Sequence, residues 1–110
     1  MEGDPAAPTL FGVTVSFTIA DGQLSAFLAL VRRNAADSVR EEEGCLRFDV
    51  SVPADKSASP VVFLYELYRD RGAFDLHLRS GHFLAFDRAS SHLAVEKTIN
   101  TYLVSEHAKT

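Results

Sequence analysis

Residues 61–86 read Val61-Val-Phe-Leu-Tyr-Glu-Leu-Tyr-Arg-Asp70 and then Arg71-Gly-Ala-Phe-Asp-Leu-His-Leu-Arg-Ser80-Gly-His-Phe-Leu-Ala-Phe86. The first part predicts a strand over Val61–Tyr68. It is dense in β-branched and aromatic residues and too short for an amphipathic helix. Arg69-Asp70 stops it, and Asp70 can cap a helix by accepting backbone N–H bonds. Phe74, His77, Leu78 and Gly81 then recur at spacings of three and four, which places His77 on the inward stripe. Ser80-Gly81 marks a bend, after which Phe83, Phe86 and Leu93 face one way. Two histidines, His77 and His82, thus bracket a turn beside a core strand.

Upstream, Phe11, Val13, Val15, Phe17 and Ile19 alternate with more polar residues, so Leu10–Ile19 reads as the first strand. Asp21 offers a capping oxygen for a helix whose stripe is Leu24, Phe27, Leu28, Val31, Ala35 and Val39, reaching about Glu42. Gly44 ends it as a residue tolerant of positive φ. Cys45–Val52 is the second strand, with Leu46, Phe48, Val50 and Val52 on one face and Cys45, Arg47 and Asp49 on the other. The polar segment 53–60 joins it to the third strand as an antiparallel neighbour. Val95–Val104 is the fourth.

The order strand, helix, strand, strand, helix pair, strand predicts an α+β fold of ferredoxin-like βαββαβ type with an antiparallel sheet. Helices cover one face of such a sheet only. Apolar and aromatic residues occur on both faces of the third strand, with Phe63, Tyr65 and Leu67 opposite Leu64 and Tyr68. A second copy is therefore expected to cover the bare face, forming a homodimer.

The chain has 110 residues, enough for one domain, expected over residues 9–110 behind a loose tail at 1–8. It is 46% hydrophobic and 24% charged, and no apolar run approaches the ~20 residues of a membrane span. An acidic start without an apolar run after it argues against a secretory signal, and the single cysteine, Cys45, suits a reducing compartment. Together these predict a cytoplasmic location. The net charge of −4 and the scattered basic residues argue against nucleic acid as a partner.

Three residues are candidates for catalysis. A free imidazole titrates near neutrality, so His77 and His82 suit proton transfer, against the alternative of structural histidines bonded to carbonyls. Asn34 lies at the edge of the first helix's stripe with Ser38 one turn on. Its amide can hydrogen-bond a substrate oxygen or simply the solvent. Arg47, Tyr65, Glu66, Phe83 and Ser38 form the candidate substrate-binding set. Glu66 would be costly to bury alone, and Arg47 on the neighbouring strand is its expected ion-pair partner. Tyr65 has dimer surface or core as its competing reading. Cys45 reads as a buried structural thiol, and the run 40–43 as a solvated helix end. His77 and His82 alone, five residues apart with no third ligand in sight, make a poor metal site.

Three segments resemble the antibiotic biosynthesis monooxygenase domain family: Arg40-Glu-Glu-Glu-Gly-Cys-Leu-Arg-Phe-Asp-Val50, Tyr65-Glu-Leu-Tyr-Arg-Asp-Arg71 and His77-Leu-Arg-Ser-Gly-His-Phe83. With the element order, the resemblance spans about residues 10–103. It implies a dimeric α/β barrel of two sheets packed face to face, and a pocket between sheet and helices in each subunit. His77, His82 and Asn34 are similar to positions found in family members. The implied activity is oxidation of a quinol or related phenolic by dioxygen without flavin or metal. The alternative is isomerisation of a small phosphorylated diketone, with Arg47 or another cation on the phosphate. A small-ligand-binding domain without catalysis is a third possibility. The chain has no tryptophan, and no asparagine on the first strand, which sets it apart from the family's haem-degrading branch.

Overall fold

The structure is a computed structural model and describes residues 9–55 and 60–105. The expected tail at 1–8 and the last residues of the expected domain lie outside the described residues. Four strands and three helices follow the order β1 (Leu10–Ile19), α1 (Leu24–Glu41), β2 (Cys45–Ser51), β3 (Val61–Tyr68), α2 (Arg71–Leu78), α3 (Gly81–Ser90) and β4 (Ala94–Val104). They form one antiparallel sheet in the order β2-β3-β1-β4. This is the α+β, ferredoxin-like arrangement the patterning predicts.

The alternation on β1 and β3 decides which face is buried. Val13 pairs with Glu66 and Val15 with Leu64, and all four are buried on the helix-covered side. Above them Phe27 and Val31 of α1 are fully enclosed. Phe27 stands between Phe17 and Phe86, with ring centroids 4.8 and 5.8 Å away. Burying a side chain of this size is worth roughly 1.5–3 kcal/mol.

The helix ends show which local signals act. Asp70 caps α2 as expected, accepting from the Ala73 amide at 2.8 Å. Asp21 does not cap α1: the chain turns at Gly22 with φ +76°, and Gln23 occupies the cap position without a side-chain bond. Gly44 is required for a different reason from the one its sequence context suggests. Its φ is not positive, but a Cβ there would lie 2.5 Å from Ala73 Cβ, so glycine lets the start of β2 approach α2.

Two expected faces are corrected. Val39 is exposed, and Asn34 and Ser38 are buried in the α1 stripe instead. On β2, a register shift between Cys45 and Arg47 returns Cys45 to the helix-covered side, opposite Tyr68, while Phe48 and Val50 stay there. A bulge places one extra residue in the strand, so strict alternation no longer predicts sidedness across it.

Candidate functional site

Beneath the helices lies an apolar cavity of about 40 Å³. Its floor is β1 and β3, through Val13, Val15, Leu64 and Glu66. Its roof is Asn34 of α1, His77 of α2, and Phe83 and Phe86 of α3. A wider outer cleft of about 350 Å³ opens between α1 and α3, lined by Arg33, Asn34, Asp37 and His82. Asn34 and Phe86 belong to the walls of both spaces.

His77 is the centre of the roof. It is 2% exposed, and its ring packs among Phe83, Tyr68, Phe48 and Phe74 at centroid distances of 5.1–6.3 Å. Its Nδ1 lies 2.8 Å from Glu42 Oε2. An ionised carboxylate can only accept, so Nδ1 carries the proton and Nε2 keeps a lone pair. Ser38 Oγ, 3.5 Å from Nδ1, donates its own proton to the Asn34 carbonyl at 2.7 Å, which is consistent with that tautomer. Burial lowers the His77 pKa; the bond to Glu42 opposes this without cancelling it. The imidazole is thus held neutral, oriented and able to accept a proton at Nε2.

By its sequence context Glu42 belongs to a solvated helix end, and its inward position is the main correction to the site. It follows the last turn of α1, where its N–H bonds the Ser38 carbonyl at 3.0 Å and the backbone becomes extended. That change of direction turns its side chain, only 13% exposed, back toward α2. Oε2 also hydrogen-bonds His82 Nε2, whereas Oε1 is buried without a partner among the described residues. Ser80 sets the two histidines relative to each other: it donates to the His77 carbonyl at 2.7 Å and caps α3 by accepting from the Phe83 amide at 3.2 Å. Glu42, His77 and His82 bring ligand-type atoms within 4.8 Å of one another, a third group that chain spacing could not reveal. Their contacts in the structure are hydrogen bonds.

Glu66 enters the cavity floor at 4% exposure. Its expected partner is wrong. Arg47 belongs to the opposite face of the sheet and pairs with Asp49 at 2.7 Å, while Glu66 Oε1 accepts from Tyr68 Oη at 2.6 Å. Desolvation pushes the Glu66 carboxyl up to about 7, against the lowering effect of the Tyr68 hydroxyl. The Tyr68 phenol is raised in turn, first by burial and then by the Glu66 charge. Tyr65, like Arg47, faces away from the cavity, because its β1 partner is Thr14 on the uncovered side. Of the eight candidate residues, the structure therefore gathers Asn34, Glu66, His77, His82 and Phe83 around the two spaces, buries Ser38 behind them against His77, and leaves Arg47 and Tyr65 outside. Burial pushes the Cys45 thiol up to about 12, so it stays protonated and structural.

The antibiotic biosynthesis monooxygenase profile matches residues 10–89, which contain Asn34, Glu42, Glu66 and both histidines. The chain belongs to this family. Among solved structures, a Pseudomonas aeruginosa protein is 27% identical, with 96% of this chain and all of that one covered at a TM-score of 0.76. A Mycobacterium tuberculosis protein is 25% identical, covering 91% of this chain and 97% of that one at a TM-score of 0.74. A Nitrosomonas europaea protein provisionally named an antibiotic biosynthesis monooxygenase is 23% identical, covering 88% and 89% at a TM-score of 0.77, a likeness of fold alone. No curated protein matches the chain. Family membership supports a monooxygenase-type function for the site. Among the described residues no helix is long and apolar enough to cross a membrane.

Proposed function

We propose that the protein is a cofactor-independent monooxygenase that oxidises a quinol or related phenol with dioxygen. The observation that carries this reading is the Glu42–His77 pair: a neutral imidazole, its Nδ1 proton held at 2.8 Å by a carboxylate, in the wall of an apolar cavity. In that setting Nε2 takes the proton of a substrate hydroxyl, and Glu42 stabilises the resulting imidazolium. The phenolate is then electron-rich enough to pass electrons to dioxygen. One oxygen atom forms the new C–O bond, the other leaves as water, and a hydroquinone becomes a hydroxyquinone. The protein's own contribution is desolvation, orientation and placement of the proton, worth roughly 10²–10⁴-fold for the acid–base part.

Size decides where the ring goes. A cavity of about 150 Å³ accepts benzene, and the inner cavity, at about 40 Å³, is smaller. The outer cleft, at about 350 Å³, is ample, and the two spaces share Asn34 and Phe86. The substrate therefore spans both, displacing the shared wall so that its reacting hydroxyl reaches His77. The phosphorylated-diketone reading loses Arg47 as its phosphate anchor, since that residue lies on the other face of the sheet, and would need another cation in its place. In the same proposal two copies pair through that uncovered face. Oxygen uptake with a panel of hydroquinones tests the function: consumption above the free autoxidation rate, lost in His77→Gln, is expected. A folded protein that never exceeds autoxidation would defeat it.

A further inference from the structure

Asn34 and Arg33, adjacent on α1, are in opposite electrostatic situations, and together they describe a ligand. Asn34 is 3% exposed, yet its Oδ1 has no hydrogen-bond partner among the described residues. A buried acceptor left unpaired costs about 1–3 kcal/mol, so a hydroxyl placed there gains what the protein alone forgoes. Arg33 lines the outer cleft and is exposed. The acid one turn along its helix, Asp37, is held by Arg40 at 2.6 Å. The Arg33 guanidinium is left without an ion-pair partner among the described residues. Of the other groups facing the cleft, Asp37 is engaged by Arg40, which also holds Glu41 at 2.8 Å, and His82 is bound to Glu42. The cleft therefore presents one cation without an ion pair among the described residues, above the apolar surfaces of Leu30, Ala85, Phe86 and Ala89.

We infer that the outer cleft binds an anionic substituent of the substrate, so that the ligand class is a hydroxylated aromatic carboxylate and not a neutral quinol. Its carboxylate pairs with Arg33, its ring covers the apolar surface, and its hydroxyl donates to Asn34 Oδ1 on the way to the inner cavity. A guanidinium suits a carboxylate because its two parallel N–H donors match the two oxygens. This inference rests on the oxygenase reading for the ring and its hydroxyl, but the anion subsite is separately testable.

The test compares 2,5-dihydroxybenzoate with its methyl ester and with hydroquinone. Binding is measured by calorimetry without oxygen, and oxygen uptake is followed in parallel. The acid is expected to bind at least about 10-fold more tightly than the ester, a difference of about 1.4 kcal/mol. Arg33→Gln should erase the preference and leave the ester's affinity unchanged, whereas Asn34→Ala should weaken both compounds. Equal affinity of acid and ester, or a preference that survives in Arg33→Gln, overturns the anion subsite. If that happens while hydroquinone still consumes oxygen, the oxygenase reading stands alone. Tight, Arg33-dependent binding of the acid without oxygen consumption does the reverse, and no binding by any of the three compounds overturns both.

Discussion

The two faces of the sheet come from the same four strands but obey different rules. On the covered face polar groups are few, and most of the buried ones pair with each other: Glu66 with Tyr68, and His77 and His82 with Glu42. On the uncovered face Arg47 and Asp49 pair in the open, Phe63 is 42% exposed and Tyr102 is 50% exposed. The edge strand β4 is uncovered on both sides, leaving Val95, Ile99 and Leu103 in contact with solvent. The covered face uses burial to tune proton affinity. The uncovered face keeps its charges solvated and its apolar groups free for another surface. A substitution on the first should therefore alter chemistry or folding, and one on the second only assembly.

The strongest attempt to break this contrast is His77→Gln, which keeps a polar group of similar reach but removes the proton acceptor. Oxygen uptake should fall by roughly 10²–10⁴-fold while the fold persists by circular dichroism. Unaltered turnover would move the base elsewhere. Next comes Phe27→Ala, at the centre of the aromatic packing. It should cost about 3–5 kcal/mol in urea denaturation. A loss below about 1 kcal/mol would mean that the covered face is not the folding core.

Glu66 sharpens the comparison through pH. Its carboxyl titrates at about 7 when folded against an ordinary value of 4.5, so between those limits the unfolded chain gives up a proton that the folded one keeps. Stability contributed by this group is complete below about pH 4.5, declines by about 3 kcal/mol as pH rises to 7, and is flat beyond. His77, with its lowered pKa, acts in the other direction: stability falls as pH drops below its ordinary 6.5, because the unfolded imidazole takes up a proton that the folded one resists. Glu66→Gln should remove the first slope, leave the second, and make the protein more stable at pH 8. Denaturation midpoints from pH 4 to 8 that coincide with the parent's would show Glu66 to be solvated.

Gly44→Ala should cost about 1–3 kcal/mol, since the new methyl meets Ala73 at 2.5 Å and one element has to move. A neutral result in thermal denaturation would indicate slack between β2 and α2. The smallest effect on the subunit itself is expected from Phe63→Asp with Tyr102→Ser: within about 0.5 kcal/mol for an exposed position, but with loss of the proposed homodimer by light scattering. A pair of copies that survives both changes would be joined elsewhere.

The sequence was most informative where a signal lies within one element. The period-two pattern of β1 and the β-branched run of β3 predict Leu10–Ile19 and Val61–Tyr68 with the bounds observed, and Asp70 caps the helix it precedes. The buried histidine was also legible, because His77 shares a helical stripe with Phe74 and Leu78. What local pattern could not supply were relations between elements. The shift between Cys45 and Arg47 reversed the sidedness expected for Cys45. The supposed Arg47–Glu66 pair failed because the two side chains lie on opposite faces of the sheet. Nothing local marks Glu42, which within its own segment is one carboxylate among three.

By itself, then, the sequence determined the element order, the covered face of β1, and which histidine points inward, since hydrophobic periodicity reflects the geometry of each element alone. Only the tertiary structure decided that Glu42, 35 residues from His77 in the chain, holds its Nδ1 proton, that Glu66 bonds Tyr68, and that Asn34 is buried with its oxygen unpaired. The physical reason is that proton affinity and hydrogen-bond satisfaction depend on distances of about 3 Å between groups that different elements carry, and such distances exist only after those elements have packed.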